Sequence, residues 1–121
     1  MSDESAIKEV VQTYFDSMFE SSAEKALMAF HPNAKITGFN RGELQEMSVT
    51  FFAEFVASQQ PSERDKGHTP FLEILSIDIA GETAVARVRD KYLGRMFLDT
   101  LSLLKTDGKW QIYNKLFHVE E

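Results

Sequence analysis

Residues 71–119 read FLEILSIDIAGETAVARVRDKYLGRMFLDTLSLLKTDGKWQIYNKLFHV, and apolar side chains fall at every second position along most of this stretch. This spacing predicts β-strands that bury one face. Glycines and an Asp-Gly pair, which are typical of tight hairpin turns, divide the stretch at Gly81, Gly94 and Asp107-Gly108. The predicted strands are Phe71–Ile79, Thr83–Tyr92, Arg95–Lys105 and Lys109–Val119. Four strands joined by short turns indicate an antiparallel meander.

Upstream of this stretch the apolar residues have helical spacing. One stripe at i, i+3, i+4 and i+7 consists of Ile7, Val10, Val11, Tyr14, Phe15, Met18 and Phe19. It predicts a first helix capped by Asp3. Ser21-x-x-Glu24 is a capping box that predicts a second helix through Phe30, ended by His31-Pro32.

Two further elements are expected before the meander. Ala34–Phe39 predicts a short strand that ends in the turn residues Asn40-Arg41-Gly42. Ser48 is expected to start a third helix, and residues 59–67 form a polar loop. Helices followed by a run of hairpins predict an α+β fold, with about three N-terminal helices packed on one face of a curved mixed or antiparallel sheet. Residues 1–121 are expected to form a single domain.

Composition excludes several classes of protein. The net charge of −6 opposes binding to nucleic acid, and no apolar run is long enough to span a bilayer. The acidic start Met1-Ser2-Asp3-Glu4 does not resemble a signal peptide, so a cytoplasmic protein is expected. The chain has no cysteine, and its three histidines lack metal-ligand spacing, so we expect no metal and no cofactor.

Hairpin turns fix which strand residues share a face. Two-residue loops at Leu93-Gly94 and Asp107-Gly108 would place Asp90 opposite Phe97 and Leu103 opposite Ile112. The same register, continued, predicts an inner face that is apolar except for four residues. These are Asp90, Asp99, Asn114 and His118. Because a buried carboxylate is costly unless it is paired or protonated, this face is expected to border a cavity.

Three side chains are candidates for acid–base chemistry. Asp99 and His118 would be diagonal neighbours, roughly 7–8 Å apart at the backbone, and an aspartate beside a histidine raises the basicity of a general base. Tyr14 would direct its hydroxyl from the first helix into the same cavity. His118, Asp99 and Tyr14 are therefore the predicted catalytic residues, although a half-exposed histidine and a core tyrosine remain alternatives.

The predicted ligand-binding residues combine these polar groups with aromatic side chains that could line the cavity. They are Tyr14, Phe39, Phe55, Asp90, Phe97, Asp99, Trp110, Asn114 and His118. Core packing is the alternative for each aromatic residue, and a surface ion pair with Arg95 is the alternative for Asp90.

The order of these elements resembles a known superfamily. Helix Ile7–Phe19, the segment from Ala23 to Ala34 and the run Asp107–Ile112 are similar to the nuclear transport factor 2-like superfamily, which includes the SnoaL-like (polyketide cyclase-like) proteins. Ile74–Asp78 and Asp99–Lys105 resemble its branch named "putative lumazine-binding". The resemblance implies a cone-shaped (cystatin-like) fold with a ligand pocket, and a homodimer formed through the outer face of the sheet.

The resemblance also limits the chemistry. Tyr14 resembles the helix-1 tyrosine of the steroid isomerases, and Asp99 resembles their late-strand acid. The first-strand aspartate that serves as their base has no counterpart in Ala34–Phe39. The leading hypothesis is a small-molecule-binding domain with a mixed apolar and acidic pocket. The alternative is a cofactor-free acid–base enzyme of the isomerase, cyclase or dehydratase type.

Overall fold

Three helices and six strands make up the computed structural model, which describes residues 2–120; Met1 and Glu121 lie outside that range. In chain order the elements are α1 (Asp3–Phe19), α2 (Ala23–Ala29), β1 (Phe30–Asn40), β2 (Glu43–Ser48), α3 (Val49–Ser58), β3 (Leu72–Ala80), β4 (Thr83–Tyr92), β5 (Arg95–Thr106) and β6 (Lys109–Glu120). The predicted α+β class with three helices is confirmed. No helix within residues 2–120 is long and apolar enough to cross a membrane.

The strands form one sheet in the order β2-β1-β6-β5-β4-β3. Only β1 and β6 are parallel, and every other neighbouring pair is antiparallel, so the sheet is mixed. It is curved and does not close into a barrel. The core lies between its inner face and the helices, where Val11, Tyr14 and Phe30 meet Val88 and Leu101.

Serine caps start all three helices. Ser2, Ser22 and Ser48 each accept a hydrogen bond from the backbone N–H three residues later. The predicted caps at Asp3 and Ser21 are wrong by one residue. Ser21 has a positive φ of 53° in the turn before α2, which is incompatible with the extended backbone of an N-cap. Ser48 was predicted correctly.

The first strand pair differs from the sequence-based prediction. The second helix stops at Ala29 rather than Phe30, and β1 starts at Phe30 rather than Ala34. Pro32 is tolerated because β2 pairs only with residues 35–40, and the pairing with β6 is irregular between Phe30 and Lys35. The edge strand β2 was missed because all but one of its side chains are exposed, which leaves no apolar alternation to detect.

The later hairpins test the predicted register. Asp90 lies opposite Phe97 and Val88 opposite Asp99, as predicted. Leu103 lies opposite Ile112, also as predicted, but Ser102 then pairs with Asn114, so Tyr113 is an extra residue in β6. From this β-bulge onward the predicted register is wrong by one residue.

Glycine at position 38 lets β1 approach β6 closely. A Cβ at this position would lie 2.5 Å from the Phe117 carbonyl oxygen and 2.6 Å from its ring. Gly38 is buried and pairs with Phe117 across the parallel ladder. Because a larger residue cannot fit there, Gly38 fixes where the Phe117 ring lies on the inner face.

Candidate ligand cavity and its buried acid groups

A cavity of about 650 Å³ opens between α3, the β1–β2 hairpin and the turn that joins β4 to β5. Its walls are largely apolar and include Met47, Phe51, Phe52, Phe55, Phe97 and Phe117. Phe51 and Phe55 stay exposed in part even though they are large and apolar. Volume and lining match the ordinary properties of a small-molecule site.

The bulge at Tyr113 decides which β6 side chains reach this cavity. Tyr113 and Asn114 are both exposed, so the alternation of faces resumes one residue later than a regular strand would allow. Lys115 consequently points inward, where it is only 5% exposed and lines the cavity. Bulges are frequent beside active sites because they redirect side chains in this way.

Lys115 holds its amino group among aromatic rings. Nζ lies 4.7 Å from the ring centre of Tyr14, 4.9 Å from that of Phe52 and 5.8 Å from that of Phe117. Such ring faces attract a cation. Among residues 2–120, Lys115 makes neither a hydrogen bond nor an ion pair. Its N–H donors are therefore available to a molecule in the cavity.

Tyr14 and Asp99 form a buried hydrogen bond behind Lys115. The Tyr14 hydroxyl donates to Asp99 Oδ2 at 2.6 Å, and both residues are fully buried. Burial, together with the nearby charges of Asp90 and Asp99, raises the pKa of Tyr14 well above its ordinary value. Tyr14 is therefore a neutral phenol that serves as a hydrogen-bond donor to the carboxyl group of Asp99.

Asp90 is a second buried acid beside Asp99. Apart from the carboxyl groups of these two residues, no donor within residues 2–120 reaches either oxygen of Asp90 or Asp99 Oδ1. Burial is the main cause that raises the pKa of Asp90 far above its usual range; a hydrogen bond and the charge of Asp99 raise it further, and Lys115 opposes them. Asp90 is therefore held in its protonated form, in which it can donate a hydrogen bond to Asp99.

Tyr92 is a further buried polar group in the cavity wall. Its hydroxyl has no hydrogen-bond partner among residues 2–120, although the residue is only 5% exposed. Burial, followed by the charge of Glu63, raises the pKa of Tyr92 above its ordinary value. The Tyr92 hydroxyl is therefore enclosed by protein, and the cavity offers the ammonium group of Lys115 to a bound molecule.

The structure divides the predicted site residues into three groups. Phe55 and Phe97 line the cavity. Tyr14, Asp90 and Asp99 lie together in the layer behind it. The other four lie elsewhere: Phe39, Trp110, Asn114 and His118.

Each misplaced residue has a physical reason. The bulge turns Asn114 and His118 to the exposed side, so the predicted contact of His118 with Asp99 is wrong: Asp99 pairs with Phe117 instead. Phe39 is 62% exposed on β1. Trp110 is buried, and its indole N–H donates to Asp3 near the start of α1.

Lys115 and Tyr92 are among the cavity residues that the sequence-based prediction missed. Regular alternation from the Asp107-Gly108 turn assigned Lys115 to the outer face. One signal was available in the sequence. The inward apolar residues Trp110 and Ile112 have even numbers and Phe117 has an odd number, so the alternation of faces along β6 changes between Ile112 and Phe117. A change of parity within one strand indicates a bulge. Within residues 2–120, no group of three His, Asp or Glu side chains could hold a metal ion.

Three helices over one face of a curved, open sheet, with a cavity between the layers, define the cystatin-like, nuclear transport factor 2-like class. A cystatin-like domain of unknown function from Nostoc punctiforme shares this fold at a TM-score of 0.75 and 22% identity, with 98% of this chain and 78% of that chain covered. The sequence profile of the family described as "Putative lumazine-binding" matches residues 2–118, and the chain belongs to this family.

Two solved nuclear transport factor 2-like proteins of unknown function are especially similar. The protein from Silicibacter pomeroyi has a TM-score of 0.89 at 25% identity over 99% of this chain and all of that one. The protein from Methylobacillus flagellatus has a TM-score of 0.85 at 30% identity over 100% and 96% of the two chains. Among curated proteins, Aldolase FrzH from a Cladobotryum species is 26% identical over 97% of this chain and 91% of its own length.

Proposed function

We propose that this protein binds a small, largely apolar molecule that presents an oxygen acceptor to Lys115. The observation that carries the proposal is that Lys115 is only 5% exposed, lines an apolar cavity and has no hydrogen-bond or ion-pair partner among residues 2–120. A buried donor without an acceptor costs about 1–3 kcal/mol, and a ligand oxygen removes that cost. The family's description as lumazine-binding supports a planar ligand that carries carbonyl oxygens.

Planar oxygenated compounds should stabilise the folded protein. Lumazine, riboflavin and an anthraquinone carboxylate are suitable probes in thermal unfolding, because only the folded chain has the cavity. A ligand present at about 100 times its Kd adds about 2.7 kcal/mol, which raises the Tm by several degrees. Met47→Trp places a larger side chain at the cavity wall and should abolish the shift.

Met28→Trp is the matched control, because Met28 is 54% exposed on α2 and does not line the cavity. It should leave the shift unchanged. Stabilisation of the Met47→Trp variant equal to that of the native protein would show that the compounds bind elsewhere. If none of the three compounds stabilises the native protein, the proposal of this ligand class is contradicted.

Acid–base catalysis on a bound molecule is the second candidate function. It is favoured by the buried carboxylic acid of Asp90 beside Asp99, and by the similarity to a protein named as an aldolase. His118, the predicted base, is exposed and takes no part in this proposal. Deuterium exchange at the α-carbon of a bound ketone would report such catalysis. A rate equal to that in buffer alone contradicts it.

We also propose that two copies associate through the outer face of the sheet. Val85, Tyr113 and Leu116 are 39%, 39% and 51% exposed there, beside polar residues of β4 and β5. Leu116→Glu should convert the dimer to a monomer in light scattering, because the charge would have to be buried. Leu27→Glu on α2, where Leu27 is 53% exposed, should not. A native protein that is monomeric at micromolar concentrations contradicts the proposal.

A further inference from the structure

Lys115 is placed for bond formation as well as for binding. Its amino group lines a cavity with apolar walls, and no carboxylate of residues 2–120 lies within 4.0 Å of it. Lysines that act as nucleophiles toward carbonyl groups share this setting: a desolvated amine without a counter-ion, in reach of a ligand. An ion-paired surface lysine such as Lys25, which lies 2.8 Å from Glu20, has neither property.

We propose that Lys115 forms an imine with a ketone or aldehyde group of the cavity ligand. This inference rests on the proposed small-molecule site and specifies the class of its ligand as a carbonyl compound. In the first step the Lys115 ammonium gives a proton to solvent water, and the nitrogen lone pair forms a bond to the carbonyl carbon as the C=O π bond breaks. The carbonyl oxygen takes a proton from water and the nitrogen gives one to water, which leaves a neutral carbinolamine.

Loss of water completes the reaction. The carbinolamine hydroxyl takes a proton from solvent water, its C–O bond breaks, and water leaves as the nitrogen lone pair forms the C=N bond. The ammonium and the carbonyl compound thus give an iminium and one water, so charge and protons balance and neither an oxidant nor a reductant is needed.

The aromatic rings around Lys115 favour the product as well as the starting state. The rings of Tyr14, Phe52 and Phe117 attract a cation at Nζ, and the iminium keeps its positive charge on the same nitrogen. The β6 bulge is what brings this lysine inside, so the same feature supplies both the position and the environment of the amine.

A 1,3-diketone tests the inference directly. Benzoylacetone condenses with an accessible neutral amine to give a stable vinylogous amide that absorbs in the near ultraviolet. We expect one adduct per chain, mapped by peptide mass spectrometry to Lys115 and formed at least about tenfold faster than at any surface lysine. Lys115→Met should form none, and Lys91→Met, which removes an exposed lysine of β4, should react like the native protein.

The outcomes separate this inference from the proposed function. Thermal stabilisation by benzoylacetone without an adduct overturns the imine and leaves the binding site standing. If benzoylacetone gives no adduct, and neither it nor the three planar probes stabilise the protein, both the imine and the proposed binding site are overturned. If Lys115→Met does not fold, peptide mapping of the native protein alone decides between the outcomes. An adduct distributed evenly over all lysines contradicts the inference.

Discussion

Replacing Asp90 by Asn is expected to raise the free energy of unfolding by about 2–4 kcal/mol at neutral pH. Burial raises the pKa of Asp90 in the folded protein far above its value in the unfolded chain, which is about 3.9. Folding at neutral pH must therefore take up a proton. The amide of Asn needs no proton and can donate to Asp99 in place of the carboxylic acid of Asp90.

The sign of the pH dependence follows from the raised pKa of Asp90. The contribution of Asp90 to the free energy of unfolding is complete below about pH 4. It is lost as the pH rises, by up to about 1.4 kcal/mol per pH unit. The advantage of Asp90→Asn should thus vanish near pH 4 and grow toward pH 8. Urea unfolding across this range measures it, and Asp78→Asn, at an exposed position of β3, is the control. A variant less stable than the native protein at both ends of the range would show that Asp90 is ionised in the fold.

Tyr14→Phe is expected to lower the free energy of unfolding by about 2–4 kcal/mol. The phenol is the hydrogen-bond donor to Asp99 Oδ2, at 2.6 Å, and both groups are fully buried. Phe keeps the ring against Phe30 and Phe52 and removes only the hydroxyl, so the loss reports on the carboxylate rather than on packing. Chemical denaturation at neutral pH measures the change.

A double-mutant cycle with Asp99→Asn isolates the contact. We expect an interaction energy of about 1–3 kcal/mol between positions 14 and 99, since each group loses its partner in the single variants. Tyr113→Phe, which removes the hydroxyl of an exposed tyrosine in the bulge, should change stability by less than about 0.5 kcal/mol. Additive effects at positions 14 and 99 would contradict the direct bond.

The predictable parts of the molecule are those that local sequence determines. Leu93-Gly94 fixes the pairing of Asp90 with Phe97 because a two-residue turn allows little freedom of register. The strong helical stripe likewise placed Tyr14 on the core side of α1, where it meets Asp99. Both buried acids and their tyrosine were therefore accessible from the sequence.

The unpredicted parts depend on contacts between distant segments. The bulge at Tyr113 lies beside the irregular parallel pairing of β6 with β1, between Phe30 and Lys35, and no turn residue marks it. Strand β2 buries almost nothing, so its position follows from hydrogen bonding to β1 alone. These two features form the cavity and select Lys115 for it.

The extra residue in β6 also has an evolutionary consequence. With the bulge at Tyr113, Lys115 and Phe117 face the helices; with the bulge beyond position 118, Asn114, Leu116 and His118 would face them instead. A single deletion paired with a single insertion could thus exchange an amine for an imidazole without any point substitution. Descendants of one ancestral chain could acquire different chemistries by changes in strand length, and a comparison of such sequences aligned without gaps would match residues that lie on opposite faces.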